Sequence, residues 1–151
     1  GYGKFAINLG VYLPCVSAGE HPKPPTGVVM EYQCTIRDRL GRLTYKYDKW
    51  YEITDDNSNL AVGIVGAVQS YGLKFLDKFQ SYHDVLSHYQ EVGCFPRQTA
   101  VRSHLEAALI ANPIGNKNLA ESLFQKAYAS NHEGFRKHVA EIAKRVGYTV
   151  S

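Results

Sequence analysis

Residues 50–72 read WYEITDDNSNLAVGIVGAVQSYG, and the spacing of the apolar side chains changes within this stretch. Up to Ile53 the aromatic and β-branched composition is typical of a strand. After residues 55–58, apolar side chains recur at helical spacing, and Gly72 stands where a helix-ending glycine is common. The stretch therefore predicts a change from strands to helices. The residues that share the predicted helical face are Leu60, Ile64, Ala67, Val68 and Tyr71.

Two more strands are predicted before that change. Residues 5–13 and residues 28–36 both alternate between apolar and smaller or polar side chains, which indicates half-buried strands. Residues 14–27 hold four of the six prolines and are predicted to form a loop. Strands at 28–37 and 43–53 are expected to form a hairpin, so the predicted sheet is antiparallel with about three visible strands.

About five helices are predicted after residue 58. Ser81 with Asp84 resembles a capping box, and that helix is expected to close at Gly93. Asn118 is expected to open a later helix, and Gly147 to end the last one. Strands first and helices later predict an α+β fold with the helices on or beside the sheet, in one domain covering 1–151. The apolar stripes of the last three helices are Val101, Leu105, Ala108 and Leu109; Leu119, Leu123 and Ala127; and Phe135, Val139, Ile142 and Val146.

The composition excludes several classes of protein. The chain has 151 residues with a net charge of +3, which is too mild to indicate nucleic-acid binding by itself. Cys15, Cys34 and Cys94 are an odd and sparse set, which favours free thiols in a reducing compartment and hence a cytoplasmic location. No apolar run approaches the ~20 residues of a membrane span, so no membrane partner is expected.

Templates for chemistry are incomplete throughout the sequence. His83 and His88 are five residues apart and His132 and His138 are six apart, whereas two ligands on one helix face need a spacing of three or four. Cys34 lies in an apolar predicted strand, where cysteine is commonly an inert small hydrophobe. We therefore expect no catalytic residues, no cofactor and no metal site, and a protein that is not an enzyme with a self-contained site.

The one unusual segment is residues 37–51, RDRLGRLTYKYDKWY, which we call the basic-aromatic strip. Arginine and aromatic side chains dominate binding hot spots and also serve single-stranded nucleic acids. A structural hairpin with one aromatic face and one cationic face is the alternative interpretation. The candidate partner or ligand surface is Arg37, Arg39, Arg42, Tyr45, Lys46, Lys49 and Trp50.

Trp50 distinguishes these two interpretations. Strand alternation places it opposite Tyr51 and Ile53, which favours exposure, although a bulge near Asp48 would reverse the phase. We nevertheless predict that Trp50 lies in the core, because a lone tryptophan in a domain is usually packed.

Several segments in order resemble the bacterial domain-of-unknown-function family 4304. They are FAINLGVYLP (5–14), CTIRDRLGRL (34–43), the pair Trp50 and Tyr51, YGLKFLDKF (71–79), and the step Val146-Gly147-Tyr148. The resemblance covers most of the chain and implies a helix-strand piece before residue 1. It implies no activity and no catalytic residues.

For function, these observations favour a non-catalytic protein-interaction module whose partner is another protein. The alternative is a nucleic-acid or phosphorylated-ligand binder that uses the basic-aromatic strip. Convergence of the strip's cations on one concave surface would favour the alternative, and pairing with Asp38, Asp48 and Glu52 would disfavour it.

Overall fold

The computed structural model describes residues 3–21, 23 and 27–151. Within this part the strands are β1 (Lys4–Phe5), β2 (Asn8–Val11), β3 (Ile36–Arg39) and β4 (Tyr51–Glu52). Short antiparallel strands near the start are followed by helices, so the predicted α+β class is confirmed. The helices are α1 (Pro14–Glu20), α2 (Leu40–Tyr45), α3 (Ser58–Ala67), α4 (Leu73–Leu76), α5 (Tyr82–Val92), α6 (Ala100–Ala111), α7 (Lys117–Tyr128) and α8 (Glu133–Arg145).

The strands pair across a long sequence separation. β2 pairs antiparallel with β3, and β1 pairs antiparallel with β4. Leu40 N donates to the carbonyl oxygen of Ile7 at 2.9 Å between the two pairs. The predicted hairpin between residues 28–37 and 43–53 is therefore wrong, because both of those regions pair with the first strand region instead.

The predicted strand at 43–47 is also wrong, since α2 occupies that position. Leu40 is fully buried and Leu43 packs against the core, and a spacing of three residues places both on one helix face. Gly41 allows the close approach of the following chain, because a Cβ there would lie 2.7 Å from the carbonyl oxygen of Lys49. Burial of the two leucines outweighs the strand-like alternation of this segment.

The predicted loop over 14–27 is wrong in its first half. Pro14 occupies the first turn of α1, where its missing N–H costs nothing, and Val16 is buried. Residues 22 and 24–26 of that prediction lie outside the described residues. The strand predicted at 28–36 is mostly wrong as well, because a 3₁₀ turn spans Glu31–Gln33 and β3 starts only at Ile36.

The helix predicted over 58–72 does not end at Gly72. A π-helical turn, Val68–Gly72, carries α3 into α4, and a 3₁₀ turn, Asp77–Phe79, follows. Gly72 has a right-handed helical φ of −65°. A Cβ at Gly72 would lie 3.3 Å from Leu9 and 3.6 Å from Leu40, so this glycine serves close packing on the strand region rather than a cap.

Helix-end signals later in the chain are mostly confirmed. Ser81 Oγ accepts from the backbone N–H of Asp84 at 3.2 Å, and Gly93 ends α5 with a φ of 83°. Asn116, not Asn118, caps α7. α6 is the centre of the core and packs on α1, α5 and α7. No helix in the described part of the chain is long and apolar enough to cross a bilayer.

Candidate functional site

The cations of the basic-aromatic strip are largely paired within the strip. Arg39 contacts the carboxylate of Asp48, and Arg42 Nε lies 3.5 Å from Oδ1 of Asp38. Lys49 Nζ lies 4.0 Å from the centroid of the Tyr45 ring. A hydrogen bond to the Tyr45 hydroxyl raises the pKa of Lys49. These contacts occupy Arg39, Arg42 and Lys49, whereas Arg37 and Lys46 have no side-chain partner within the strip.

Trp50 lies at the surface, so the prediction that it is core is wrong. It is 50% exposed, whereas Tyr51 is 6% exposed. Pairing of β4 with β1 places the Tyr51 ring 5.6 Å from the Phe5 ring, on the inner side. The side chain before it must therefore point outward. The guanidinium of Arg39 lies 5.2 Å from the centre of the Trp50 ring.

Arg37, the first residue of the strip, faces a cleft between α1, α6 and α8. The cleft has a volume of about 510 Å³, and the 3₁₀ turn and the start of β3 form its remaining wall. A smaller cavity of about 210 Å³ adjoins it, and Arg37 and Arg97 line both. Of the predicted surface residues, Arg37 and Arg39 reach these cavities, and the other five do not.

The floor of the cleft is a buried ion-pair cluster. Arg102 Nη2 lies 2.5 Å from Glu20, and Arg102 Nε lies 2.8 Å from Glu106. Gln98 Nε2 donates to Oε2 of Glu106 at 2.8 Å. The side chains of Glu20 and Glu106 are 9% and 5% exposed. Two largely buried carboxylates therefore share one guanidinium, on a side chain that is itself 36% exposed.

The pKa values of the floor groups follow from this burial. Desolvation raises the pKa of Glu106 in spite of the nearby Arg102. Burial alone would lower the pKa of Arg102, but the charges of Glu20 and Glu106 outweigh it and raise that pKa. Arg102 is therefore firmly charged, while Glu106 takes up a proton more readily than an ordinary glutamate does.

Arg97 and Arg37 form the cationic rim of the cleft. Arg97 is exposed, has a φ of 62°, and forms no ion pair or hydrogen bond with any described residue. Arg37 has one distant carboxylate partner, Glu31 at 4.0 Å. His21 and His138 also line the cleft. The rim therefore has donors that the fold itself leaves unused.

Only some of these residues are signalled by local sequence patterns. Arg102 and Glu106 are four residues apart on one helix face, which is the spacing of a helical ion pair. Glu20 lies 82 residues from Arg102, and no local pattern connects them. Arg97 follows Pro96 in a short connection without a motif.

The helix α3 is a different kind of surface. Its sequence, SNLAVGIVGA, has no charged residue, yet no side chain of this fully described helix is buried. Val62 is 73% exposed and Val65 is 55% exposed. Leu60, Ile64 and Ala67 are half-buried, and the remaining side chains of α3 are exposed. A helix that is apolar on every side is normally enclosed by other elements.

Two of the histidines on helices, His88 and His104, pack against aromatic side chains. His104 Nδ1 lies 2.5 Å from the Tyr89 hydroxyl, and the His88 ring meets Phe79 edge to face. Burial lowers the pKa of both imidazoles. Cys15, Cys34 and Cys94 are free thiols. Among the described residues, no group of three or more His, Cys, Asp or Glu side chains is arranged to hold a metal ion.

Comparison with known proteins gives a family and no further relatives. Neither the curated proteins nor the solved structures contain a match to this chain. The profile of the family described as domain of unknown function DUF4304 matches residues 1–78, which span the strands, α1 to α4 and the start of the next turn. The Val146-Gly147-Tyr148 step lies outside the matched residues. Because this match covers more than half of its length, the chain belongs to the DUF4304 family.

Proposed function

We propose that this protein is a non-catalytic protein-interaction module and that α3 docks an apolar segment of a partner protein. The observation that carries the proposal is an apolar helix with no buried side chain. Burial of a valine side chain at an interface contributes about 1.5–3 kcal/mol, so Val62 and Val65 together could supply much of a moderate affinity. Contiguous exposed apolar surface of this kind marks interaction sites.

A protein partner fits this helix better than a membrane surface does. Helices that lie on membranes carry lysine and arginine on their polar face, which attract anionic lipids. Residues 57–73 have no charged side chain, and two carboxylates, Asp55 and Asp56, directly precede them. A partner that covers α3 must therefore be apolar and uncharged at the contact.

The basic-aromatic strip is a second candidate contact surface for the same partner. Tyr47 is 61% exposed and Trp50 is 50% exposed, and rigid exposed aromatic rings are common anchors of protein interfaces. Nucleic-acid binding through the strip has less support, because Arg39 and Arg42 are paired with carboxylates and phosphate binding requires free cations.

Site-specific photo-crosslinking in host cells tests the proposal. A photoreactive amino acid replaces Val65 in one variant and Val92 in the control variant. The two valines are matched, because each is 55% exposed and they lie on different helices, α3 and α5. We expect a discrete adduct with another protein from position 65 and none from position 92.

Two results would overturn the proposal. One is the absence of any adduct from position 65, and the other is the same adduct from both positions. An adduct with a second copy of this chain, at twice the chain's mass, would also count against a separate partner. Val65→Lys should abolish the adduct formed from a photoreactive residue at position 62, whereas Val92→Lys should leave it unchanged.

A further inference from the structure

We propose that the cleft between α1, α6 and α8 binds small phosphorylated molecules that carry hydroxyl groups. The phosphoryl group would lie between Arg37 and Arg97, and a hydroxyl would donate to Glu20. The cleft shares no residue with α3, so this site is independent of the protein-interaction proposal.

The rim of the cleft offers two guanidinium groups without a strong partner. Within the described part of the chain, Arg97 forms no ion pair, and the one carboxylate paired with Arg37, that of Glu31, lies 4.0 Å away. Both arginines line the cleft and the adjoining cavity, which places them around one volume. Two guanidiniums match the double charge and the several acceptor oxygens of a phosphoryl group.

The floor offers an acceptor that is buried and incompletely used. Glu20 Oε1 lies 2.5 Å from Arg102 Nη2, but it accepts no well-aligned hydrogen bond from any described residue. Leaving a buried carboxylate oxygen without such a bond is unfavourable. The Glu20 side chain lines the cleft and is 9% exposed, so a small rotation of its carboxylate would bring Oε1 to a ligand hydroxyl that supplies the missing donor.

The charge distribution favours a small molecule over a polyanion. Glu20 and Glu106 at the floor repel an extended run of phosphates, whereas a single phosphoryl group at the rim stays beside the arginines. The cleft volume of about 510 Å³ is within the range of small-molecule sites. A ligand with a phosphoryl group at one end and a hydroxyl group at the other therefore fits the cleft, with the phosphoryl group at the rim and the hydroxyl at the floor.

The backbone at Arg97 is consistent with a binding role. Its φ of 62° is a left-handed conformation that only a few per cent of residues other than glycine adopt. Strained conformations of this kind cluster at ligand sites. Arg97 lies two residues after Phe95, which is 1% exposed and whose N–H donates to Ser103 Oγ at 2.9 Å.

Titration calorimetry with three probes tests the proposal: ribose 5-phosphate, inorganic phosphate and ribose. We expect saturable binding of ribose 5-phosphate, weaker binding of inorganic phosphate, and no binding of ribose. No saturable binding of either phosphate probe would overturn the proposal.

A matched pair of variants separates the site from general charge effects. Arg97→Asn removes the cation, and asparagine tolerates a positive φ, so the fold should hold. Lys46→Asn removes one positive charge at the same φ of 62° but lies outside the cleft. Arg97→Asn should weaken ribose 5-phosphate binding by about tenfold or more, as the loss of a charge-assisted hydrogen bond implies. Equal weakening in Lys46→Asn would overturn the assignment.

Glu20→Gln tests the floor. Removing the negative charge should leave inorganic phosphate bound as well or better. The preference for ribose 5-phosphate over inorganic phosphate should fall, because the amide oxygen is a weaker acceptor for the ligand hydroxyl. An unchanged preference, in a variant whose melting temperature shows that it is folded, would remove Glu20 from the site and overturn the proposed orientation.

Discussion

Gln98 Nε2 donates to the backbone carbonyl oxygen of Thr35 at 2.8 Å, a contact between residues 63 positions apart. The same nitrogen reaches Oε2 of Glu106 at 2.8 Å. Gln98 Oε1 accepts from the hydroxyl of Ser103 at 3.3 Å. Because Thr35 precedes β3 and Glu106 lies on α6, one side chain ties the family-matched part of the chain to the helices beyond it.

Loss of this side chain should be costly for stability. Gln98→Ala leaves Oε2 of the buried Glu106 and the carbonyl of Thr35 without their Gln98 donor, and an unsatisfied buried group costs about 1–3 kcal/mol. Gln90→Ala, at an exposed position of α5, should change the free energy of unfolding by about 0.5 kcal/mol or less. Denaturant unfolding of both variants measures the difference. Equal effects would show that the Gln98 contacts do not stabilise the fold.

Trp50→Ala should have a small effect on stability. The ring is half exposed and stacks with Arg39 at the surface, where such a cation–π contact is worth about 0.5–1 kcal/mol. Phe95→Ala is the core comparison, because Phe95 is 1% exposed and its truncation should cost about 3–5 kcal/mol. Thermal unfolding compares the two variants. A melting temperature lowered as far by Trp50→Ala as by Phe95→Ala would contradict the surface position.

Two glycine substitutions should have opposite effects on stability. A Cβ at Gly41 would lie 2.7 Å from the carbonyl oxygen of Lys49, so Gly41→Ala forces the backbone apart and should cost about 1–3 kcal/mol. A Cβ at Gly63 would meet no atom within 4 Å. Gly63→Ala should therefore stabilise α3 by about 0.5–1 kcal/mol through helix propensity. Chemical denaturation measures the change in the free energy of unfolding of each variant. A stabilised Gly41→Ala variant would rule out the close approach of residues 41 and 49.

The stability of the protein should fall as the medium becomes acidic, partly because of His104. Burial lowers the pKa of His104 below its ordinary value of 6.5. Between the folded pKa and pH 6.5, the imidazole is therefore protonated in the unfolded chain and neutral in the folded chain. This contribution is fully present above pH 6.5 and is lost as the pH falls through the folded pKa. Glutamine removes the titration and can still accept from the Tyr89 hydroxyl.

The measurement is the change in unfolding free energy between about pH 7.5 and about pH 5. That change should be smaller in His104→Gln than in the wild-type chain. His83→Gln, at an exposed position of α5, should behave like the wild type in this comparison. If His104→Gln and the wild type lose the same free energy, the burial of this imidazole does not contribute to acid sensitivity.

Local sequence patterns were sufficient to predict the α+β class and most of the later helices. Ser81 and Gly93 bound α5 as predicted, because a cap is a local contact between residues a few positions apart. The apolar stripes of α6, α7 and α8 likewise identified their buried faces, since Leu105, Leu123 and Ile142 are all buried. Family membership also followed from the order of short motifs in the first 78 residues.

The α2 helix, the orientation of Trp50 and the cleft depend on tertiary packing, because the contacts that form them join residues distant in sequence. Residues 40–45 form a helix that buries Leu40 and packs the half-buried Leu43 against the core, and a local strand-like pattern could not reveal this. Pairing of β4 with β1 places the Tyr51 side chain on the inner side of the strands and the Trp50 side chain at the surface. The cleft likewise exists only after folding brings Glu20 to Arg102, 82 residues along the chain, and leaves Arg37 and Arg97 facing the same volume.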